Sequence, residues 1–174
     1  LPWRAGAGTA ANVVDAQAAL ETQFSLWAST LAGATVCLHS AGWMEGGLTN
    51  SYEKVVTDVE LLQMLAELCT LPEADEDALG YAAIAEVPPG SHFFAAAHTM
   101  ARYRTAFYEP MIADWSNFGN WTERGALTST QRAHAKWKQV LGEFTAPATA
   151  AACAEALDAV IARRTAEGGA PPLS

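Results

Sequence analysis

One short stretch restricts the possible folds of this chain more than any other, because it reads as a strand, a glycine-rich loop and a helix in direct succession. A β-branched and apolar run at residues 35–38 is followed by His39, and the loop after it carries Trp43 and Glu45. The run predicts a short buried strand. In a strand–loop–helix unit, side chains at the carboxyl end of the strand point into the ligand-binding crevice. We therefore expect much of any chemistry here.

Composition favours a folded, helix-rich domain and argues against nucleic acid as a partner. The 174 residues carry a net charge of −9, and the 10 basic residues are scattered along the chain. Nucleic acid binding needs a basic patch that releases counterions. The 3 cysteines are far apart and form no Cys/His cluster, which indicates reduced thiols in a cytoplasmic protein. No apolar stretch is long enough to predict a membrane span.

Capping signals and apolar periodicity predict helices on both sides of this stretch. Asp15 is suited to cap a helix. The apolar residues that follow it share one helical face and are therefore predicted to be buried: Leu20, Phe24, Trp27 and Leu31. Thr128 and Gln131 have the spacing of a capping box at the start of a later helix.

At the end of the glycine-rich loop, Asn50 or Ser51 is predicted to open a long helix, and the spacing there also matches a second capping box. Asn50 and Glu53 have the required spacing, and in such a box the Glu side chain reaches back to the cap amide. The apolar stripe of the helix begins at Val55. Asp58 and Glu60 lie off that stripe.

The count of elements leaves two fold classes open. The chain predicts about six helices but only one clear strand, and a buried strand needs partners. A complete βα-barrel needs eight strands and at least about 200 residues. The chain is therefore either a helical domain with a very small sheet or the last portion of a barrel. The second interpretation also explains why the first residues read as the middle of a domain, so we expect a piece of a longer protein.

The central stretch also contains a motif that is specific enough to suggest a family. The motif reads His39-x-Ala-Gly-Trp43-x-Glu45-Gly-Gly47-Leu-Thr-x-Ser51-Tyr-Glu53-Lys. Weaker matches extend from about residue 3 to residue 166, among them Pro89-Gly90-x-His92-Phe, His98-Thr99 and Arg132-Ala133-x-Ala-Lys-Trp137. These residues resemble the trimethylamine methyltransferase family. The resemblance implies a helix-rich α/β fold, with the C-terminal units of a (βα)8 TIM-type barrel in residues 1–126 and a helical extension and tail in residues 127–174.

The resemblance also implies an activity. Members of the family are cytoplasmic and transfer a methyl group from a methylated amine to the cobalt of a separate corrinoid protein. The corrinoid would thus be carried by that partner and not bound directly by this chain. Some members carry pyrrolysine, and none is written in this sequence. A quaternary amine such as glycine betaine therefore fits better than trimethylamine, because its cationic nitrogen is already a leaving group.

Two functions other than catalysis are also open. The chain could be a helical domain that binds methylated amines without turnover. It could instead be an oligomerising domain, because open strand edges and apolar helix faces favour association into a homo-oligomer.

We predict His39 and Glu45 as catalytic residues. His39 would orient the substrate or lie beneath the corrin, and the alternative is a histidine that is hydrogen-bonded within the barrel wall. Glu45 would pair with an ammonium group, and the alternative is that it caps a turn.

We predict Trp43, Gly46, Gly47 and Asn50 as substrate-binding residues. A cation over a tryptophan face is stabilised by about 0.5–2 kcal/mol, although Trp43 could instead pack in the core. The glycines supply unusual backbone angles, or else permit close approach by a flat cofactor. Asn50 lies at a helix N-terminus, whose amide groups suit the carboxylate of a betaine.

We predict His92 and His98 as residues that contact the corrinoid cofactor, at the mouth where the partner protein docks. They lie 6 positions apart and have no third metal ligand nearby. A metal site needs three or four converging ligands, so we predict no metal site here.

Overall fold

The computed structural model of the chain describes residues 2–169, with no side chains described for residues 149–152. The chain divides into two compact units, Leu1–Trp137 and Lys138–Ser174. The domain boundary that we predicted after residue 126 stays a prediction, and the part of the predicted tail beyond residue 169 lies outside the described residues.

The described residues are mainly helical, with four very short strands. The strands are β1 (Arg4–Gly6), β2 (Val36–Leu38), β3 (Trp43–Met44) and β4 (Thr49–Asn50). The α-helices are α1 (Ala16–Leu31), α2 (Tyr52–Cys69), α3 (Glu76–Leu79), α4 (Tyr81–Glu86), α5 (Ala97–Arg102), α6 (Phe118–Glu123), α7 (Ser129–Gly142) and α8 (Ala148–Ala166). Single 3-10 turns span Glu45–Gly47 and Phe93–Ala95. The boundary between the two units falls within α7, and α8 belongs to the second unit.

The first three elements form a β–α–β unit. β1 and β2 pair in parallel, so that Arg4 lies opposite Val36 and Gly6 opposite Leu38. Asp15 caps α1 as predicted, because its carboxylate accepts the backbone N–H groups of the second and third helical residues. A parallel pair joined by a helix is the repeating unit of a (βα)8 barrel. The barrel itself stays a prediction.

The prediction that β2 is buried is wrong. Val36 is 49% exposed and Leu38 is 37% exposed. Within residues 2–169 the sheet of β2 contains only β1 as a partner, so one edge and much of one face remain uncovered.

The prediction for the buried face of α1 is also wrong. Phe24 is 82% exposed and Leu31 is 80% exposed, whereas the helix buries a face of small and aliphatic residues: Ala18, Thr22, Leu26 and Ser29. Small side chains let α1 approach β1 and α2 closely. Periodicity identified a real apolar stripe, but the described residues pack on a different side of the helix.

The loop after β2 returns as a small hairpin. β3 and β4 pair antiparallel, with Trp43 opposite Asn50. The predicted Asn50–Glu53 capping box is wrong, because Ser51 is the N-cap of α2 and its hydroxyl accepts the Lys54 N–H at 3.4 Å. Asn50 cannot cap the helix because it is engaged in the hairpin.

The predicted capping box at the start of α7 is confirmed. The Thr128 N–H donates to the Gln131 side-chain oxygen at 2.8 Å, and the Gln131 N–H donates to the Thr128 hydroxyl at 3.3 Å. This local arrangement fixes where α7 begins.

A small core joins α2, α7 and the irregular segment before α6. Val56, Ile112 and Ala133 are buried together, and Met111 and Trp137 pack against them. The burial of an apolar residue on each of three segments fixes α7 against α2 within the first unit.

Two charged side chains bind the backbone of that irregular segment. Glu60 of α2 accepts the N–H groups of Ile112 and Ala113, and Arg132 of α7 donates to the Ile112 carbonyl at 2.5 Å. A buried segment outside a sheet or helix needs such partners. Glu60 lies off the predicted apolar stripe of α2, and its burial was not predicted from the sequence.

Candidate functional site

An open hollow of about 420 Å³ lies at the carboxyl ends of β1 and β2. Because the two strands are parallel, the segments that follow them meet at the same edge of the sheet. The hollow is lined by Gly6, Ala7, Gly8, His39, Trp43, Gly46 and Gly47. Four of the predicted site residues therefore converge on one cavity, which we call the strand-end hollow.

Two aromatic side chains face each other in the strand-end hollow. The rings of His39 and Trp43 lie edge to face, with their centroids 5.2 Å apart and their planes at 86°. His39 is exposed and has a φ of 55°, which is a strained backbone conformation for a residue other than glycine. Such strain costs about 1–3 kcal/mol and is found mostly at functional sites. The imidazole is thus held at the end of β2 where a bound molecule can reach it.

The glycine-rich loop is hydrogen-bonded to the segment that follows β1. The Gly46 N–H donates to the Thr9 carbonyl at 2.9 Å, and the Glu45 N–H donates to the Ala11 carbonyl at 3.2 Å. Glu21 of α1 fixes that segment in turn by accepting the Thr9 hydroxyl at 2.6 Å. The hydrogen bonds from Thr9 and its neighbours hold the pKa of Glu21 below its usual value. The carboxylate therefore stays ionised and keeps the loop anchored.

Three successive residues of the loop have left-handed backbone conformations. The φ angles are 50° at Glu45, 65° at Gly46 and 96° at Gly47. A Cβ atom added at either glycine would meet nothing within 4 Å. Backbone conformation, not lack of space, thus explains these two glycines. The same open space leaves a bare backbone surface that a flat group could approach.

A second and larger hollow, of about 580 Å³, is lined by two more of the predicted site residues, Glu45 and Asn50. It is lined by Asn12, Val13, Val14, Met44, Glu45, Thr49, Asn50, Ser51, Glu53, Thr130, Gln131 and His134. Glu45 and Asn50 therefore line a different cavity from His39 and Trp43. Trp43 and Met44 are neighbours in β3 and line different hollows, as expected of side chains that alternate along a strand.

A polar cluster at this second hollow was not predicted from the sequence. The Glu53 carboxylate accepts the Trp137 indole N–H at 2.8 Å and the Ser51 hydroxyl at 2.9 Å, and it lies 2.7 Å from Nδ1 of His134. The hydrogen bonds from His134 and Trp137 lower the pKa of Glu53 to about 2. Because these partners lie more than 80 positions away along the chain, no local motif could reveal them.

A buried ion pair fixes the other end of the glycine-rich loop. Lys54 and Asp58 lie one turn apart on α2 and are 0% and 1% exposed. The Lys54 ammonium group is bonded to Asp58 and donates to the Thr22 hydroxyl of α1 at 2.8 Å. Asp58 also accepts the N–H of Gly42 at 2.8 Å. Burial raises the pKa of Asp58, against the hydrogen bonds from Lys54 and Gly42. Asp58 lies off the predicted apolar stripe of α2, and its burial was not predicted from the sequence.

The two other histidines lie on segments that line neither hollow. Nε2 of His98 is 2.7 Å from the Asp77 carbonyl oxygen, so this ring links α5 to α3. The ring of His92 packs against that of Phe94 at a centroid distance of 4.9 Å. Their predicted contact with a corrinoid stays a prediction.

Residues 2–169 contain no group of three or more His, Cys, Asp or Glu side chains arranged to hold a metal ion. Over the same range, each helix is too short or too polar to cross a membrane.

Comparison with known proteins identifies relatives of the whole chain. A model of the trimethylamine methyltransferase (MTTB) family matches residues 1–169. The glycine betaine methyltransferase of Desulfitobacterium hafniense (strain Y51) is 36% identical over 170 residues, which cover 97% of this chain and 35% of that protein. The trimethylamine methyltransferase MttB of Desulfitobacterium hafniense (strain DSM 10664 / DCB-2) is 29% identical over 143 residues, which cover 82% of this chain and 28% of that protein.

A third relative has a similar sequence identity. A trimethylamine methyltransferase of Methanosarcina mazei is 31% identical over 139 residues, which cover 79% of this chain and 27% of that protein. The chain thus spans about a third of the length of the curated relatives that it matches. Because the family model covers nearly every residue, the resemblance seen in the Gly-Trp-x-Glu-Gly-Gly motif is confirmed, and the chain belongs to the trimethylamine methyltransferase family.

Proposed function

We propose that this chain is the C-terminal part of a cytoplasmic, corrinoid-dependent methyltransferase. The substrate would be a tertiary or quaternary methylamine such as glycine betaine, and the methyl acceptor would be a corrinoid protein. Family membership supports methyl transfer from a methylated amine, and the relative named glycine betaine methyltransferase supports a quaternary donor. In this proposal, the β1–α1–β2 unit belongs to a (βα)8 barrel that the rest of the protein completes.

The strand-end hollow is the observation on which this proposal chiefly rests. A quaternary ammonium group has no N–H to donate, so a protein recognises it by charge and by the faces of aromatic rings. Trp43 lines the hollow beside the end of β2 and is only half-buried. Contact between its ring and a methylated nitrogen would contribute about 0.5–2 kcal/mol to binding.

His39 is suited to bind the carboxylate end of a betaine. The His39 and Trp43 rings lie edge to face with their centroids 5.2 Å apart, so a ligand over the Trp43 ring would lie within reach of the imidazole. A ring N–H can donate to a carboxylate, and this contact would fix the orientation of the substrate. The methyl group would then point out of the hollow. Positioning of this kind is the main catalytic contribution that we assign to the chain.

The loop backbone fits the approach of a flat macrocycle. Gly46 and Gly47 are exposed, and neither has an atom within 4 Å of the place where a side chain would begin. In our proposal these two residues face the corrin ring at the open side of the hollow. The cobalt of the corrinoid would supply the nucleophile that accepts the methyl group. His92 and His98 are proposed to contact the corrinoid at the docking mouth.

Glu45 and Asn50 have a less direct role in this proposal. Both line the hollow beside the one that holds His39 and Trp43. The Glu45 carboxylate would stabilise a cationic substrate through its charge without direct contact. Asn50 packs against Gly42, since its side-chain nitrogen would lie 2.7 Å from an added Cβ at that position. Asn50 would therefore shape the loop that carries Trp43.

The test is methyl transfer from glycine betaine to cob(I)alamin by the full-length protein, followed by the absorbance of methylcobalamin. We expect His39→Ala and Trp43→Leu to lower kcat/KM by about 10-fold or more, which corresponds to one good contact in the transition state. Trp115→Leu is the matched control, because Trp115 is 69% exposed and lines neither hollow.

Two outcomes would count against the proposal. Unchanged activity in both His39→Ala and Glu45→Ala would remove the site assignment. Binding of glycine betaine by calorimetry without any formation of methylcobalamin would instead favour a domain that binds methylated amines without turnover.

A further inference from the structure

The buried ion pair of α2 is hydrogen-bonded to the peptide group that joins Ala41 to Gly42, the residue before Trp43. Lys54 has three N–H donors, and these are directed to the two Asp58 oxygens and the Thr22 hydroxyl. Asp58 then accepts the Gly42 N–H at 2.8 Å. A continuous chain of hydrogen bonds therefore runs from α1 through α2 to the loop of the strand-end hollow.

Gly42 has little freedom to move within this arrangement. Its φ is +86°, its N–H is bound by Asp58, and its carbonyl accepts the Ser51 N–H at 3.2 Å. The Val55 side chain and the Asn50 amide lie where a Cβ would be placed. Both polar groups of this residue are thus fixed by α2 and its N-cap. The direction in which the chain continues to Trp43 is fixed with them.

Stability alone does not explain why two charges are buried here. Removing a lysine and a carboxylate from water is costly, and apolar residues of similar volume at such sites are often equally or more stabilising. A carboxylate offers one thing that an apolar side chain does not, namely an acceptor for the Gly42 N–H. That hydrogen bond joins the ion pair to the loop that carries Trp43.

We propose that Asp58, held in place by Lys54, is a positioning residue that holds the Ala41–Gly42 peptide so that the chain continues with the Trp43 ring facing the strand-end hollow. This inference rests on the proposed function for its effect on catalysis. Its effect on the loop itself does not depend on the reaction.

The decisive variants separate charge from hydrogen bonding. The Met/Leu variant, which combines Lys54→Met with Asp58→Leu, removes both charges and the acceptor for the Gly42 N–H. The Met/Asn variant, which combines Lys54→Met with Asp58→Asn, also removes both charges, but its amide oxygen can still accept the Gly42 N–H. Thr22→Val is the control, because it removes a partner of Lys54 at the end of the network that is remote from the loop.

Hydrogen exchange in the full-length protein measures the loop directly. In the Met/Leu variant we expect amide exchange in residues 39–47 to be faster by about 10-fold or more, since the anchored amide is released. The Met/Asn variant should exchange more slowly than the Met/Leu variant, because the Gly42 N–H keeps an acceptor, and Thr22→Val should exchange as the wild type does. Equal exchange in the Met/Leu variant and the wild type would overturn the proposal, whether or not the protein transfers methyl groups.

Kinetic measurements test whether the orientation of the Trp43 ring matters for the reaction. We expect the Met/Leu variant to lose about 10- to 100-fold in kcat/KM for glycine betaine, since a displacement of about 1 Å has effects of this size. The Met/Asn variant should recover most of that loss, and Thr22→Val should lower the urea midpoint without changing kcat or KM. A Met/Asn variant as impaired as the Met/Leu variant would contradict the role of the Gly42 hydrogen bond.

Absence of methyl transfer in the wild type would refute the proposed function. The hydrogen-exchange result would then decide the positioning role by itself.

Discussion

Replacing Gly42 by alanine tests the packing of the loop on α2. The added Cβ would lie 2.7 Å from the Asn50 amide nitrogen and closer still to Cγ2 of Val55. Val55 is β-branched and lies within α2, so it cannot turn aside freely. The left-handed conformation at a φ of +86° adds a separate backbone cost for any residue with a Cβ.

The expected loss is large compared with the stability of a domain. Left-handed geometry costs a non-glycine residue about 1–2 kcal/mol. Overpacking in a close-packed region costs about 1–3 kcal/mol more. The two add to about 2–5 kcal/mol, whereas the free energy of unfolding of a domain is about 5–15 kcal/mol.

Two other glycines separate these contributions. Gly46 has a φ of +65° and open space around it, so Gly46→Ala should lose only the backbone term of about 1–2 kcal/mol. Gly8 has neither a left-handed φ nor a neighbour within 4 Å of an added Cβ, so Gly8→Ala should be close to neutral. The assay is urea unfolding of the chain followed by far-ultraviolet circular dichroism. If Gly42→Ala loses no more stability than Gly46→Ala, the packing described here is wrong.

Three other substitutions test single contacts, each by urea unfolding. The pKa of Glu53 is lowered to about 2, so its ionised form contributes stability that is complete above its usual pKa and is lost as the pH falls toward 2. Glu53→Gln should remove this part of the pH dependence of the free energy of unfolding. An unchanged pH profile would contradict the hydrogen bonds that Glu53 makes with His134 and Trp137. Glu60→Gln removes one of the two carboxylate oxygens that bind buried backbone amides, so we expect a loss of about 1–3 kcal/mol, whereas a neutral result would deny that contact. Asp15→Ala removes the cap of α1 and should cost about 1 kcal/mol, with Asp15→Asn as the conservative control that retains most of it.

Two features that depend only on neighbouring residues were predicted correctly from the sequence. The cap at Asp15 and the capping box of Thr128 and Gln131 both follow from side chains that bond to backbone only a few positions away. The convergence of His39 and Trp43 is also local, since both follow one strand. In each case a few residues contain the whole interaction.

Features that depend on packing could not be predicted in the same way. Lys54 and Asp58 have the spacing of an ordinary solvent-exposed helix pair, and only the approach of α1 and Gly42 buries them. Phe24 belongs to a genuine apolar stripe, but the described residues leave it 82% exposed. Sequence periodicity shows that a face is apolar, and it does not show which segment covers that face.

Separation along the chain explains the remaining omissions. Glu53 meets His134 and Trp137 across more than 80 positions. Its spacing from Asn50 suggested a capping role instead, because that motif needs only local information. The division of Glu45 and His39 between two hollows has a different origin, since the geometry of the hairpin of β3 and β4 decides which way each side chain points.

The central claim is that the strand-end hollow binds a methylated ammonium group against Trp43. Calorimetric titration of the full-length protein with glycine betaine tests it without requiring turnover. A ring contact of about 0.5–2 kcal/mol predicts that Trp43→Leu weakens binding by about 2- to 30-fold, while Trp115→Leu binds as the wild type does. Wild-type affinity in Trp43→Leu, or an equal loss in Trp115→Leu, would contradict the claim.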